Sequence, residues 1–375
     1  MASISQVLSL AELESVALRN VSRITREYWT DGAGENSTVQ GNTAAFDRYR
    51  LRPRALRNVS NIDMSVTVLG KKLSFPVGIA PSGWHKMADS MGEAGTAQAA
   101  KKAGTVMGVS MGTALGASTS SACSPEEIKV AGDSAVKFFQ LYIFQNRKYT
   151  KELLNRVEKA GYDAIMLTVD TAVVGRRISE IRNRPHMPDF LKVISFGSQL
   201  EYEKAGFAID SNLVWEEIIP WLRQHTKMQI WLKGILTAED ATLAVKCGVD
   251  GIIVSNHGGR QLDGCVATID ALPEIVAVVK GAIPVHMDGG IRRGVDVFRA
   301  LAMGADFVWV GRPVLWGLAY DGRRGVELML DILREELKIC MGLTGCSSIK
   351  QITSNFLGSI ENGRFAKFDD VRARL

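Results

Sequence analysis

Eight short apolar runs recur along the chain: "FPVGIA" (75–80), "TVMGVSM" (105–111), "VKFFQLYI" (136–143), "AIMLTVD" (164–170), "MQIWLKGI" (228–235), "GIIVSN" (251–256), "IPVHMDGG" (283–290) and "DFVWVGRP" (306–313). Each has the length of a strand buried on both faces. Between them lie amphipathic stretches such as "GEAGTAQAAKKAG", "TKELLNRVEKAG", "AEDATLAVKCG" and "GVDVFRALAMG", each closed by a glycine suited to a helix C-terminus. "KAGYDAIMLTVD", "KCGVDGIIVSN" and "MGADFVWVGR" repeat one unit: a helix end, Gly-x-Asp, then a buried run. Strands alternating with helices predict a parallel sheet, and eight of them point to a (β/α)8 TIM barrel more than to an open doubly wound sheet.

Two stretches break the alternation. Residues 1–70 precede the first barrel strand and form an N-terminal extension with a helix expected from about Leu8 to Tyr28. After the fourth strand, residues of about 180–227, with "RNRPHMPDFL" and "EYEKAGFAIDSNL", form a long insertion on the face where barrels carry their active sites. The whole chain, 1–375, reads as one domain, with the barrel and its insertion over 71–375.

Composition narrows the partners. With 46% hydrophobic and 23% charged residues the chain has ample material for a large core. The net charge of +5 is spread along the chain rather than gathered in a patch, which argues against nucleic acid. Five cysteines without a CxxC pair or a nearby histidine at zinc spacing read as reduced intracellular thiols, and no metal is expected. No apolar run approaches the roughly 18 residues needed to cross a bilayer, and no secretory leader is expected. The ending Ala373-Arg374-Leu375 is a conservative variant of the SKL peroxisomal address, so a peroxisomal location is expected, with the cytoplasm as the alternative.

The strand ends carry the chemistry. They read Ala80-Pro81-Ser82-Gly83, Ser110, Gln140 with Tyr142, Thr168 with Asp170, Lys233, Ser255 with His257 and Arg260, Asp288-Gly289-Gly290 with Arg292, and Gly311-Arg312. Any one of these could be a solvated or capping side chain. A polar or charged group at every strand end is more than a core needs, because burying an unpaired lysine or aspartate is costly. "DGGIRRG" and "GRP" set glycines and arginines where barrels build phosphate sites, after strands seven and eight, and suggest a phosphorylated cofactor or substrate.

"SNHGGRQLD" (255–263), with "QLY" at 140–142, "TVDT" at 168–171, "GRR" at 175–177, "LKG" at 232–234 and "DGGIRRG" at 288–294, resembles the FMN-dependent 2-hydroxy-acid oxidase and dehydrogenase family of glycolate oxidase, lactate oxidase, flavocytochrome b2 and mandelate dehydrogenase. The resemblance runs from about Tyr28 to the C-terminus. It implies that Ala80, Pro81, Ser82, Gly83, Ser110, Gln140 and Thr168 hold the flavin ring, with Ser255 also at the cofactor. Lys233 would put its positive charge beside N1 and the C2 carbonyl of the ring. Asp288, Gly289, Gly290, Arg292, Gly311 and Arg312 would take the ribityl phosphate.

The same resemblance implies that Arg177 and Arg260, helped by the Tyr28 hydroxyl, hold the substrate carboxylate as guanidinium forks do. Tyr142 would bond the substrate hydroxyl, and His257 would be the base, oriented by Asp170. Whether the proton leaves the hydroxyl or the carbon stays open. The glycines of the motif would let the chain turn close to the flavin. The other histidines, His85, His186, His225 and His286, read as structural.

Departures from the family pattern bear on the substrate. Gly83 stands where members taking small acids carry alanine, and Gly112 where glycolate oxidases usually have tryptophan, so a side chain larger than glycolate's is expected. Ala172 and Ile178 replace a proline and an acidic residue usual in the loop after "TVDT". No haem domain is expected before the barrel and the insertion is too polar to dock in a membrane, so oxygen is the expected acceptor, with hydrogen peroxide as product. Family likeness also implies a homo-oligomer, a tetramer. The alternatives are a dehydrogenase with a soluble acceptor, a pathway-specific oxidase of a hydroxy-acid-like compound, and a non-catalytic flavin-binding fold. The last fits poorly with a complete set of Tyr28, Tyr142, Asp170, Arg177, His257 and Arg260.

Overall fold

The computed structural model of the protein describes residues 7–111, 123–183, 209–361 and 364–368. Three helices come first, α1 (Leu10–Arg19), α2 (Arg23–Thr30) and α3 (Ser37–Ala44), followed by strands β1 (Tyr49–Leu51), β2 (Val66–Val68) and β3 (Lys71–Leu73). The single helix expected over Leu8–Tyr28 is thus two. The chain breaks after Asn20, and Ser22 starts the second helix by accepting from the Thr25 N–H at 3.1 Å. The apolar spacing runs through the break, which is why periodicity alone did not locate it.

The eight apolar runs are the eight strands of a closed parallel barrel: β4 (Val77–Ile79), β5 (Met107–Val109), β6 (Val136–Leu141), β7 (Ala164–Thr168), β8 (Gln229–Ile235), β9 (Gly251–Val254), β10 (Val285–Asp288) and β11 (Phe307–Val310). Each pairs with its neighbour in sequence, and Val310 opposite Ile79 closes the ring. The connecting helices are α4 (Gly92–Ala103), α5 (Pro125–Gly132), α6 (Arg147–Lys159), α7 (Ile178–Asn183), α8 (Trp215–His225), α9 (Ala238–Lys246), α10 (Thr268–Val279) and α11 (Gly294–Ala302). The last helix, α12 (Arg312–Thr344), is interrupted at Asp321–Gly322. Both α7 and α8 fall in the long connection after β7, and the residues between 184 and 208 lie outside those described. Gly112 and Ala373-Arg374-Leu375 lie outside them too.

Large rings fill the barrel. Phe138, Trp231, Phe307 and Trp309 meet edge-on inside it, and glycines make room for them. A Cβ on Gly78 would sit 2.6 Å from Phe307, and one on Gly251 2.5 Å from Trp231. His286 lies among these rings and accepts from Trp309 Nε1 at 3.2 Å; burial pushes its imidazole down to about 3. The antiparallel hairpin β2–β3 adds Val68 and Leu73 to this cluster. Strands β12 (Leu357–Glu361) and β13 (Arg364–Lys367) form an antiparallel sheet with β1, joining the two ends of the chain. No described helix is long and apolar enough to cross a membrane.

Candidate active site

The strand ends open into one cavity. It is lined by Ala80, Pro81, Ser82, Gly83, Ser110, Gln140, Thr168, Lys233, Asp288, Gly289, Gly290, Arg292, Gly311 and Arg312, and also by Tyr28, Tyr142, Arg177, His257 and Arg260. Asp170 and Ser255 do not line it and sit directly behind. Ser255 is fully buried, and its hydroxyl accepts from Lys233 Nζ at 2.7 Å and from the His257 N–H at 3.1 Å, so it braces both groups.

His257 donates from Nδ1 to Asp170 Oδ1 at 2.9 Å, which leaves Nε2 free of that bond. Burial holds the imidazole below its ordinary value, while Asp170 pulls it upward. Burial alone would raise the Asp170 carboxyl, but His257 and Lys233 outweigh it and keep the group below the usual carboxylate range. The local backbone is unusual: His257, Gly258 and Gly259 all have positive φ, at 57°, 62° and 77°. For a histidine that conformation costs about 1–2 kcal/mol. Protein atoms crowd both glycines, and their positive φ favours glycine as well. A Cβ on Gly258 would lie 2.8 Å from Arg312, and one on Gly259 2.8 Å from the Val39 nitrogen of α3. Asn256 fastens the same loop to α3 through a reciprocal amide pair with Asn42, at 2.8 and 2.7 Å.

Lys233 pairs with Asp288 at 3.0 Å, both buried. Burial would lower the ammonium, yet Asp288 and Asp170 outweigh it and hold it above the ordinary lysine value. The grouping of Asp288 with the phosphate residues therefore needs correcting. Its carboxylate faces the Lys233 ammonium, and an acceptor-only group repels a phosphate. Gln140 is held in a chain, accepting from the Met111 N–H at 3.0 Å and donating to Thr168 Oγ1 at 3.1 Å. Ser82 is bonded to the ring of buried His85 at 2.8 Å, so that histidine supports the loop after β4.

Helix α2 organises the cationic side. Its last carbonyls have no partner within the helix, and arginines supply one. Arg260 donates to the carbonyls of Tyr28 (2.9 Å) and Asp31 (3.2 Å), with its guanidinium 4.9 Å from the centre of the Tyr28 ring. Arg312 donates to the carbonyls of Trp29 (2.8 Å), Asp31 (3.1 Å) and Gly258 (2.8 Å). Sequence reasoning missed Glu180, which lies on α7 and is 2% exposed; its carboxylate meets Arg260 at 2.7 Å and Arg177 at 3.4 Å.

These residues fit a phosphorylated flavin. Among the described residues Arg292 and Arg312 are half-buried cations without a carboxylate partner in hydrogen-bond contact. Burial lowers both guanidinium groups, Arg312 to about 9. Such a pair calls for an anion. Asp288 Oδ1 is a buried acceptor with no donor, as a ribityl hydroxyl would supply. A Cβ on Gly83 would meet only Ser110 Oγ, at 3.8 Å, and one on Gly311 only Ala80, at 4.0 Å, which leaves open space above β4 and β11.

The chain is similar to known proteins over most of its length. The family described as FMN-dependent dehydrogenase matches residues 17–359. The chain is 45% identical to Oxidase FUB9 of Gibberella moniliformis over 93% of its own length and 90% of that protein. It is 43% identical to the peroxisomal (S)-2-hydroxyacid oxidase GLO4 of Arabidopsis thaliana, over 96% and 98%. The fold superposes on the crystal structure of mandelate oxidase with a TM-score of 0.83 at 35% identity, covering 96% of this chain and 99% of that one. The chain belongs to the FMN-dependent 2-hydroxy-acid oxidase and dehydrogenase family.

Proposed function

We propose that the protein oxidises (S)-2-hydroxy acids with side chains larger than that of glycolate to 2-oxo acids, with oxygen as final acceptor and hydrogen peroxide as co-product, in the peroxisome. The observation that carries this reading is the His257–Asp170 pair at 2.9 Å opening onto the same cavity as Arg177, Arg260, Tyr28 and Tyr142. Bound FMN would supply the two-electron acceptor for the substrate carbon. Arg177 and Arg260 would grip the carboxylate, Tyr142 the hydroxyl, and together they would fix the α-carbon over the ring. His257 would take the proton at Nε2, since Nδ1 is committed to Asp170, and Asp170 would stabilise the imidazolium that results. Lys233, braced by Ser255 and Asp288, would hold a fixed positive charge at the ring, and Arg292 and Arg312 would meet the phosphate.

The larger substrate rests on the space beside Gly83 and on the likeness to mandelate oxidase, whose named substrate carries a phenyl group. The peroxisomal location rests on the relative named as peroxisomal. The test is to mix FMN-loaded protein without oxygen against (S)-2-hydroxy acids of rising size and watch the flavin band. Bleaching by longer or aromatic acids, with recovery in air, is expected. Gly83→Ala, which has room for its methyl, should lower kcat/KM for the large acids relative to glycolate by about tenfold. A wild-type preference for glycolate, or an unchanged ratio in the variant, would refute the enlarged pocket.

A further inference from the structure

Arg177 and Arg260 stand side by side on the cavity, and one carboxylate joins them from behind. Glu180 follows Arg177 by three residues on α7, so one helical turn brings its side chain back onto that arginine, while Arg260 arrives from the loop after β9. The remaining partners of the two arginines are neutral. Arg177 donates to the Arg260 carbonyl at 3.0 Å and to Gln261 Oε1 at 2.9 Å, and Arg260 to the carbonyls of Tyr28 and Asp31. Among the described residues Glu180 is the one carboxylate in an ion pair with either of them. It does not line the cavity, so it does not occupy the substrate's place.

Charge around the proposed substrate end is therefore balanced. The cations Arg177, Arg260 and Lys233 are matched in number by the carboxylates Glu180, Asp170 and Asp288, with His257 held toward its neutral form. A substrate with one carboxylate adds a single negative charge in direct contact with two guanidinium groups. A second carboxylate would add another beside Asp170, and among the described residues the cavity's remaining cations are Arg292 and Arg312, which the proposed phosphate takes.

We infer that Glu180 is a specificity residue: by neutralising one of the two clamp arginines it adapts the pocket to acids bearing one carboxylate and disfavours those bearing two. The inference rests on the reading of Arg177 and Arg260 as the carboxylate clamp. A dianion feels the charge of Glu180 twice as strongly as a monoanion, so removing that charge favours the dianion in a way that mere loosening of the arginines would not.

The test compares pyruvate, a monoanion, with oxalate, a dianion of similar size. Binding to FMN-loaded protein is titrated through the change in the flavin absorption spectrum at low ionic strength. In Glu180→Gln the ratio of oxalate to pyruvate affinity should rise at least about tenfold over wild type, the size expected of a unit charge about 12 Å away at an effective dielectric of about 20, and more for a closer one. Glu180→Asp keeps the charge and shortens the reach, so both affinities should fall together with the ratio unchanged. A ratio that stays constant or falls in Glu180→Gln overturns the inference. If Glu180→Gln does not load with FMN, a shifted ratio in Glu180→Asp overturns it instead, and an unchanged one supports it. Arg177→Met tests the underlying reading separately: pyruvate binding as tight as in wild type would remove the clamp itself.

Discussion

Asp170→Asn replaces the carboxylate behind His257 with a neutral group of the same shape. The 2.9 Å contact between Nδ1 and Oδ1 sets the charge centres of an imidazolium and a carboxylate about 4 Å apart, and at an effective dielectric of about 20 their attraction is about 4 kcal/mol. That attraction exists only once the imidazole has gained its proton, so it lowers the barrier rather than tightening substrate binding. Losing it should slow anaerobic reduction of the bound flavin by about a thousandfold at saturating hydroxy acid. The pH profile should move in a defined direction. The base acts as the neutral imidazole, and burial holds His257 below 6.5 with Asp170 pulling it upward. The wild-type rate should therefore stay on its plateau through pH 6.5 and fall only below it. Removing Asp170 removes the upward pull, so the plateau drops while the acid limb moves to still lower pH. The assay is stopped-flow bleaching of the flavin across pH 4.5 to 8, with FMN content and folding checked for each protein. A loss smaller than about tenfold, or a limb displaced upward, would refute the assigned role.

Two further outcomes follow from the fold. Gly290→Ala should lose FMN and stability together, by about 3 kcal/mol or more, because φ is +82° there and the new Cβ would fall 2.1 Å from the Asn42 carbonyl oxygen; a variant with full flavin content and an unchanged Tm would contradict this. His286 titrates near 6.5 when unfolded and at about 3 in the barrel, so stability is complete above 6.5 and declines as pH falls toward 3, at about 1.4 kcal/mol per pH unit from this group. His286→Gln, which retains an acceptor for Trp309, should flatten the urea-unfolding profile between pH 6 and 4 by that slope, and parallel profiles would count against it.

The barrel was legible because strands buried on both faces must be continuous apolar runs, and those runs end where water and chemistry begin. "SNHGGRQLD" was legible for a related reason: few folds need histidine and arginine around two glycines at a strand end. What the sequence hid is mostly non-local. Strand β1 pairs with β12 across most of the chain, which three residues cannot announce. Glu180 looked like an ordinary helix residue because Arg260, its closer partner, lies 80 positions away. Asp288 was grouped with the phosphate residues because its glycine and arginine neighbours are; only the barrel's placing of β10 two strands from β8, across β9, brings its carboxylate to Lys233. The hairpin β2–β3 did leave a trace in "VTVLGKKL", but with three residues a side it was too short to stand out.

The carbonyl end of α2 has a consequence for how the protein is made. Tyr28 is 232 residues from Arg260, and Trp29 is 283 from Arg312. The helix leaves the ribosome among the first segments and waits for nearly the whole chain before its ligands exist. Contacts so distant in sequence form late. The cationic mouth is therefore among the later parts of the molecule to form, together with the closing of the barrel and the pairing of β1 with β12.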